Sequence, residues 1–133
     1  MTVHCGGPIS WQSIRQKIVA LSTTEAEYVA ASDATKEVIW IQRLMESVGA
    51  AAVGHATELR LDNQGSIKLI KNPEFHKRTK HIDVRFHFIR DIYSKGNIII
   101  NYVPSSQQLA DILTKALPRN KFEENRQNLQ IIK

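Results

Sequence analysis

Apolar residues recur at steps of three and four along the middle of the chain, at Ala31, Ala34, Val38, Ile41, Met45 and Val48. That period predicts a long amphipathic helix. Ser22, with Glu25 three positions on, predicts its start as a capping box, and Gly49 its stop. Upstream, Ile9-Ser-Trp-Gln and Ile18-Val-Ala-Leu21 read as one extended, bent strand with a basic middle at Arg15 and Lys17. Gly6-Gly7-Pro8 reads as the turn that enters it. Residues 58–61 predict a short strand ending at Asp62, and residues 63–71 a short helix closed by Asn72-Pro73. After a polar loop over residues 74–80, Ile82, Phe86, Ile89 and Tyr93 mark another helix, stopped by Lys95-Gly96-Asn97. Residues 98–103 predict a buried strand with Pro104 behind it. Ser105 or Ser106 would cap a last helix through Leu117, ended by Pro118. The order is an α/β alternation in one domain over residues 1–118, with residues 119–133 expected to be a loosely ordered tail. Three strands are few for a sheet that must cover helices of this size.

Composition narrows the class without naming it. The chain of 133 residues suits a single core, and no apolar run approaches the roughly 20 residues of a membrane span. Without a signal-peptide pattern, and with Cys5 as its single cysteine, the chain is expected to be intracellular and cytoplasmic, in a reducing compartment. A formal charge of +5 and a pI of about 9.5 would suit a phosphate-rich partner. Residues 71–90 hold Lys71, Lys77, Arg78, Lys80, Arg85 and Arg90 against Glu74 and Asp83, so the excess positive charge is concentrated there. A solvated face is the ordinary reading of such a run, and a track for backbone phosphates is the sharper one.

Three acids stand out by position. Extending the helix stripe backwards puts Glu27 in line with the core face, where an ionised carboxylate is costly unless paired or bound to metal. Asp62 sits at the carboxyl end of a strand, where open α/β sheets place their ligands, although such a residue also makes a good helix N-cap. Asp111 lies among Leu109, Ile112, Leu113 and Ala116, and by itself reads as a solvated helix acid. Carboxylates brought together by separate elements suit hard divalent cations. His76, His81 and His87 invite a zinc reading, which the lack of cysteine partners and of a His-Glu-x-x-His arrangement weakens.

Several strings taken together resemble the RNase H domain of copia-type LTR-retrotransposon Pol polyproteins, over nearly the whole chain. They are Ile9-Ser-Trp with Gln16, Val19-Ala-Leu-Ser-Thr-Thr-Glu-Ala-Glu-Tyr28, Leu61-Asp-Asn63, Asn72-Pro73, and His76-Lys-Arg-Thr-Lys-His-Ile-Asp83. His87-Phe-Ile-Arg90, Tyr102-Val103 and Gln108-Leu-Ala-Asp-Ile-Leu-Thr-Lys115 complete the set. The resemblance implies an RNase H-like mixed sheet flanked by helices, here lacking the first two strands of the family fold. It implies hydrolysis of RNA in RNA–DNA hybrids during reverse transcription, in a virus-like particle. Glu27, Asp62 and Asp111 would be catalytic ligands to two Mg2+ ions, with Mn2+ a substitute, and Lys71, Lys77, Arg78 and Lys80 would contact nucleic acid. The family's first catalytic aspartate precedes the Gly-Gly-Pro-Ile-Ser-Trp segment, whereas no acid occurs here before Glu25. An N-terminally truncated domain with impaired activity is therefore expected. Its partners would be the hybrid, the rest of the Pol polyprotein with its reverse transcriptase, and copies of itself pairing through open strand edges. The alternative is a non-catalytic remnant that binds nucleic acid or a partner.

Overall fold

Ser22 opens the long helix in the way its sequence predicts. In the computed structural model, which describes residues 1–50, 54–72 and 83–131 (backbone alone for 83–86), Ser22 is extended at φ −155° and ψ 161°. Its Oγ accepts from the Glu25 N–H at 3.1 Å, and Glu25 Oε2 accepts from the Leu21 N–H at 2.6 Å. The first bond satisfies a donor left over at the helix start, the second ties the residue before the cap to the first turn, and together they launch α1 (Thr23–Ser47). At its other end the Gly49 N–H donates to Glu46 O at 3.1 Å and the Ala50 N–H to Met45 O at 2.8 Å. This closure needs a left-handed residue between helix and exit, and Gly49 supplies it with φ 67°. The helix α3 (Asp83–Ser94) ends on the same pattern at Gly96, φ 75°.

Between these helices run β3 (Thr57–Leu61), α2 (Gln64–Lys71) and, after α3, β4 (Ile98–Tyr102). The two strands pair in parallel, from Thr57 opposite Ile98 to Leu61 opposite Tyr102, with α2 and α3 in the crossover that parallel pairing requires. The core is one cluster of Tyr28, Val29, Ala31 and Val38 from α1 with Leu61, Ile70, Ile89, Ile98 and Ile100. Gln42 fastens α1 to the starts of both strands: its Nε2 lies 2.8 Å from Thr57 Oγ1, 3.0 Å from Asn97 O and 3.1 Å from His55 O.

Two expectations are corrected here. Residues 98–103 are not a uniformly buried strand, because Ile98 and Ile100 are each 2% exposed while Ile99 and Tyr102 are each 51% exposed. Among the described residues one face of the pair is buried and the other exposed, so the side chains alternate. The buried face of α1 is also rotated from the predicted stripe. It carries Glu25, Tyr28, Ser32 and Thr35 besides Ala31 and Val38, while Val48 is exposed. Thr35 Oγ1 donates to Ala31 O at 2.8 Å, so a residue that looks polar in the pattern satisfies itself on its own helix and can be buried.

The chain divides into two compact units, Ala20–Val103 and Met1–Val19 with Pro104–Lys133. The second unit holds a hairpin of β1 (Thr2–His4) and β2 (Gly7–Ser10). Its two-residue turn is Cys5-Gly6, both at positive φ (50° and 84°), one step before the predicted turn. Residues 11–22 form neither helix nor strand, so the expected strand over 18–21 is absent. A strand needs a partner for its backbone, and periodicity cannot supply one. The predicted last helix is replaced by two 3-10 turns, Ser105–Gln107 and Leu109–Leu113. The expected loose tail instead carries α4 (Arg119–Asn128), with Asn125 and Leu129 buried. Pro118, the predicted end of a helix, stands instead at the N-cap of α4, where a missing N–H costs nothing.

The chain is thus mixed α/β, with helices beside small sheets.

Candidate functional site

Asp62 follows the last residue of β3, at the carboxyl end of a parallel strand. The helix that comes next is capped by its neighbour. Asn63, extended at φ −107° and ψ 106°, accepts the Ser66 N–H on Oδ1 at 3.0 Å. Asn63 therefore takes the capping role that a strand-end aspartate would ordinarily have. The same Oδ1 accepts from Thr24 Oγ1, in the first turn of α1, at 3.4 Å, and Ser66 Oγ donates to Thr24 O at 2.8 Å. Ser66 is fully buried. Gly65 comes so close that a Cβ there would stand 2.8 Å from Thr24 Oγ1 and 3.0 Å from Asn63 Oδ1. The start of α1 is thereby tied to the end of β3 and the start of α2. Glu27 lies three residues beyond Thr24, on the neighbouring helical turn, and is half-buried, as is Asp62.

The buried carboxylate of α1 is Glu25, not Glu27, because the buried face is turned toward Tyr28. Glu25 does its work in the helix cap, as the sequence suggested. Asp111 belongs to the other unit, in the turn Leu109–Leu113, and its Oδ2 accepts from Lys115 Nζ at 2.8 Å. That ion pair is local, yet the Asp111 side chain is 14% exposed against 54% for Lys115, so it is not the solvated acid that its pattern suggests. Lys71 is exposed in the last turn of α2, while Lys77, Arg78 and Lys80 lie outside the described residues. His76 and His81 do so too, and His87 is exposed on α3.

Arg90, counted in the basic run, is half-buried and does structural work. Its Nε donates to Leu69 O at 2.9 Å, Nη2 reaches the same carbonyl, and α3 is held to the end of α2. Burial pushes the Tyr28 phenol up, against the opposing pull of the Arg90 charge. Burial also draws the Arg90 guanidinium below its ordinary value, with Tyr28 opposing. On the uncovered face of the strand pair, Glu58 is held below the usual glutamate range by hydrogen bonds from Arg60 and Asn101.

Among the described residues no group of three or more His, Cys, Asp or Glu side chains is arranged to hold a metal ion. The donor chemistry of Glu27 and Asp62 nevertheless fits magnesium, which commonly takes one or two carboxylates and fills its shell with water and phosphate oxygens. Sequence reasoning singled out both acids but missed Thr24, Gly65 and Ser66, which connect their elements. The available signal was Asn63-Gln-Gly-Ser66, a capping residue with two small residues in the first turn that follows it.

The relatives of this chain are Pol polyproteins of transposons, and it is homologous to one segment of them. It is 48% identical over 120 residues to the retrovirus-related Pol polyprotein from transposon TNT 1-94 of Nicotiana tabacum, covering 89% of this chain. It is 40% identical over 126 residues, 95% of the chain, to that from transposon RE2 of Arabidopsis thaliana. Similarity extends to the transposon Ty1-NL2 Gag-Pol polyprotein of Saccharomyces cerevisiae, at 27% over 119 residues, which is 89% of this chain and 7% of that protein. The chain spans 9% of the length of each of the two plant relatives. No family model and no solved structure matches it. No helix among the described residues is long and apolar enough to cross a membrane.

Proposed function

We propose that this chain is the RNase H-like part of a copia-type Pol polyprotein and acts on the RNA strand of RNA–DNA hybrids. The observation that supports it most directly is the junction just described. The end of the parallel strand that leads to Asp62 and the start of the helix that carries Glu27 are joined by hydrogen bonds among Thr24, Asn63 and Ser66. Glu27 and Asp62 would hold Mg2+ or Mn2+, with Asp111 as a third ligand. The ions, when bound, supply Lewis-acid activation of the scissile phosphate and the attacking water. Lys71, with Lys77, Arg78 and Lys80, would grip the nucleic-acid backbone, and the remainder of the Pol polyprotein with its reverse transcriptase would be the partner that delivers the hybrid. Sites of this kind use about four carboxylates, and the three available here predict slow cleavage by the chain alone.

A second reading, a non-catalytic nucleic-acid- or partner-binding remnant, is favoured by the lack of a three-residue metal group among the described residues. The test is a labelled RNA–DNA hybrid incubated at high protein concentration with Mg2+ or Mn2+, beside Glu27→Gln and Asp62→Asn. The nuclease reading expects slow, cation-dependent cleavage that both variants lose. Hybrid binding that both variants retain, with no cleavage by any of them, supports the second reading. A chain that neither binds nor cuts the hybrid overturns the nuclease reading and the nucleic-acid-binding form of the second.

A further inference from the structure

We infer that Thr24, Asn63, Gly65 and Ser66 form a latch that sets the spacing of Glu27 and Asp62, and so are positioning residues for a divalent cation. The inference rests on the nuclease reading for the role of the two acids, but its geometry stands apart from that reading. Three hydrogen bonds meet within it. Asn63 Oδ1 accepts from the Ser66 N–H at 3.0 Å and from Thr24 Oγ1 at 3.4 Å, and Ser66 Oγ donates to Thr24 O at 2.8 Å. Two of them join residues 39 and 42 positions apart in sequence, so they are tertiary bonds and serve more than one helix cap.

Each acid is coupled to this latch along its own backbone. Asp62 is the residue before Asn63, and Glu27 is on the helical turn after Thr24. A shift of the junction between β3 and α2 relative to the start of α1 would therefore move Asp62 relative to Glu27. Gly65 permits the close approach, since a methyl group there would crowd Thr24 and Asn63 together. Groups that orient metal ligands without touching the metal commonly change affinity by tens of fold when altered. The fully buried Ser66 and the absent side chain at Gly65 make the latch rigid in the way such support requires.

The test measures Mn2+ binding to the full chain by electron paramagnetic resonance, with circular-dichroism melts of every variant. Glu27→Gln and Asp62→Asn define the site, and each is expected to lose binding. Gly65→Ala is expected to weaken Mn2+ about tenfold while the helical signal is kept, and Thr24→Ala, which removes the hydroxyl that donates to Asn63 Oδ1, to weaken it too. Ser66→Ala, which removes the bond to Thr24 without adding bulk, is expected to weaken binding as well, and keeps the test open if Gly65→Ala does not fold. Wild-type affinity in folded Gly65→Ala or Ser66→Ala, with the site variants inactive in binding, overturns the latch and leaves the nuclease reading standing. A wild-type chain that binds no Mn2+, or binds it equally in both site variants, overturns the metal role of the two acids and the latch with it.

Discussion

At the scale of single residues, the most informative distinction is between Asp62 and Asn63. Either could cap a helix, and it is the asparagine that does so, with a second bond from Thr24. Replacing Asn63 by Ala should cost about 1–2 kcal/mol, the upper end of a cap loss, in urea unfolding. Gly65→Ala offers a sharper comparison. Intrinsic helix preference alone would make Ala better than Gly by about 1 kcal/mol, yet crowding against Thr24 predicts net destabilisation. A more stable Gly65→Ala protein would show that the close approach relaxes at no cost. In the other unit, Asn125 is buried on α4, and neither Nδ2 nor Oδ1 has a hydrogen-bond partner among the described residues. Asn125→Leu should therefore stabilise the fold by about 1 kcal/mol, the order of an amide's desolvation cost. Glu58 titrates below its ordinary value because Arg60 and Asn101 donate to its carboxylate. Its contribution is thus present at neutral pH and lost as pH falls through the lowered folded-state value. Arg60→Ala should move the Glu58 titration, followed by NMR, back toward the ordinary range. The pair is exposed, so the effect on stability is small.

At the scale of elements, ends were easier to foresee than faces. The boundaries of α1 were legible because Ser22, Glu25 and Gly49 each act within a few residues of themselves. The face of α1 was not, since Thr35 and Ser32 are polar in the pattern and buried in the fold. Pro118 shows the opposite error, a residue read as ending one helix that begins another. Gln42 shows what a single side chain can do between elements, linking α1 to the starts of β3 and β4. Gln42→Ala should destabilise the unit by about 1–3 kcal/mol, because Asn97 O and Thr57 Oγ1 lose a partner there. Amide exchange at the β3–β4 ladder should quicken in that variant, and unchanged protection would argue that the clip is dispensable.

At the scale of the whole chain, the exposed apolar side chains set a further expectation. Trp11, Ile14, Val19 and Leu21 all lie in the stretch without regular structure and are more than half exposed, at 61%, 73%, 83% and 74%. Apolar residues so displayed favour association, as do strands that among the described residues pair on one side. Sedimentation should therefore show concentration-dependent oligomers that replacing Val19 and Leu21 by Ser reduces. A monodisperse monomer at high concentration would count against it. The relatives are an order of magnitude longer than this chain, so the same surfaces could be covered within a polyprotein.

The sequence by itself determined the local features of this protein: two helix ends closed on glycine, the cap at Ser22, and the strand that delivers Asp62 to its carboxyl end. Its strings also led to the Pol polyproteins of transposons, although no single acid in it pointed there alone. Only the tertiary structure decided that Glu25 and not Glu27 is the buried acid, that Arg90 turns inward to Leu69, and that Thr24 meets Asn63 and Ser66. The reason is range. A cap or a glycine stop closes hydrogen bonds within a few residues and leaves a pattern in the chain, whereas a contact across about forty residues depends on packing that no local pattern encodes.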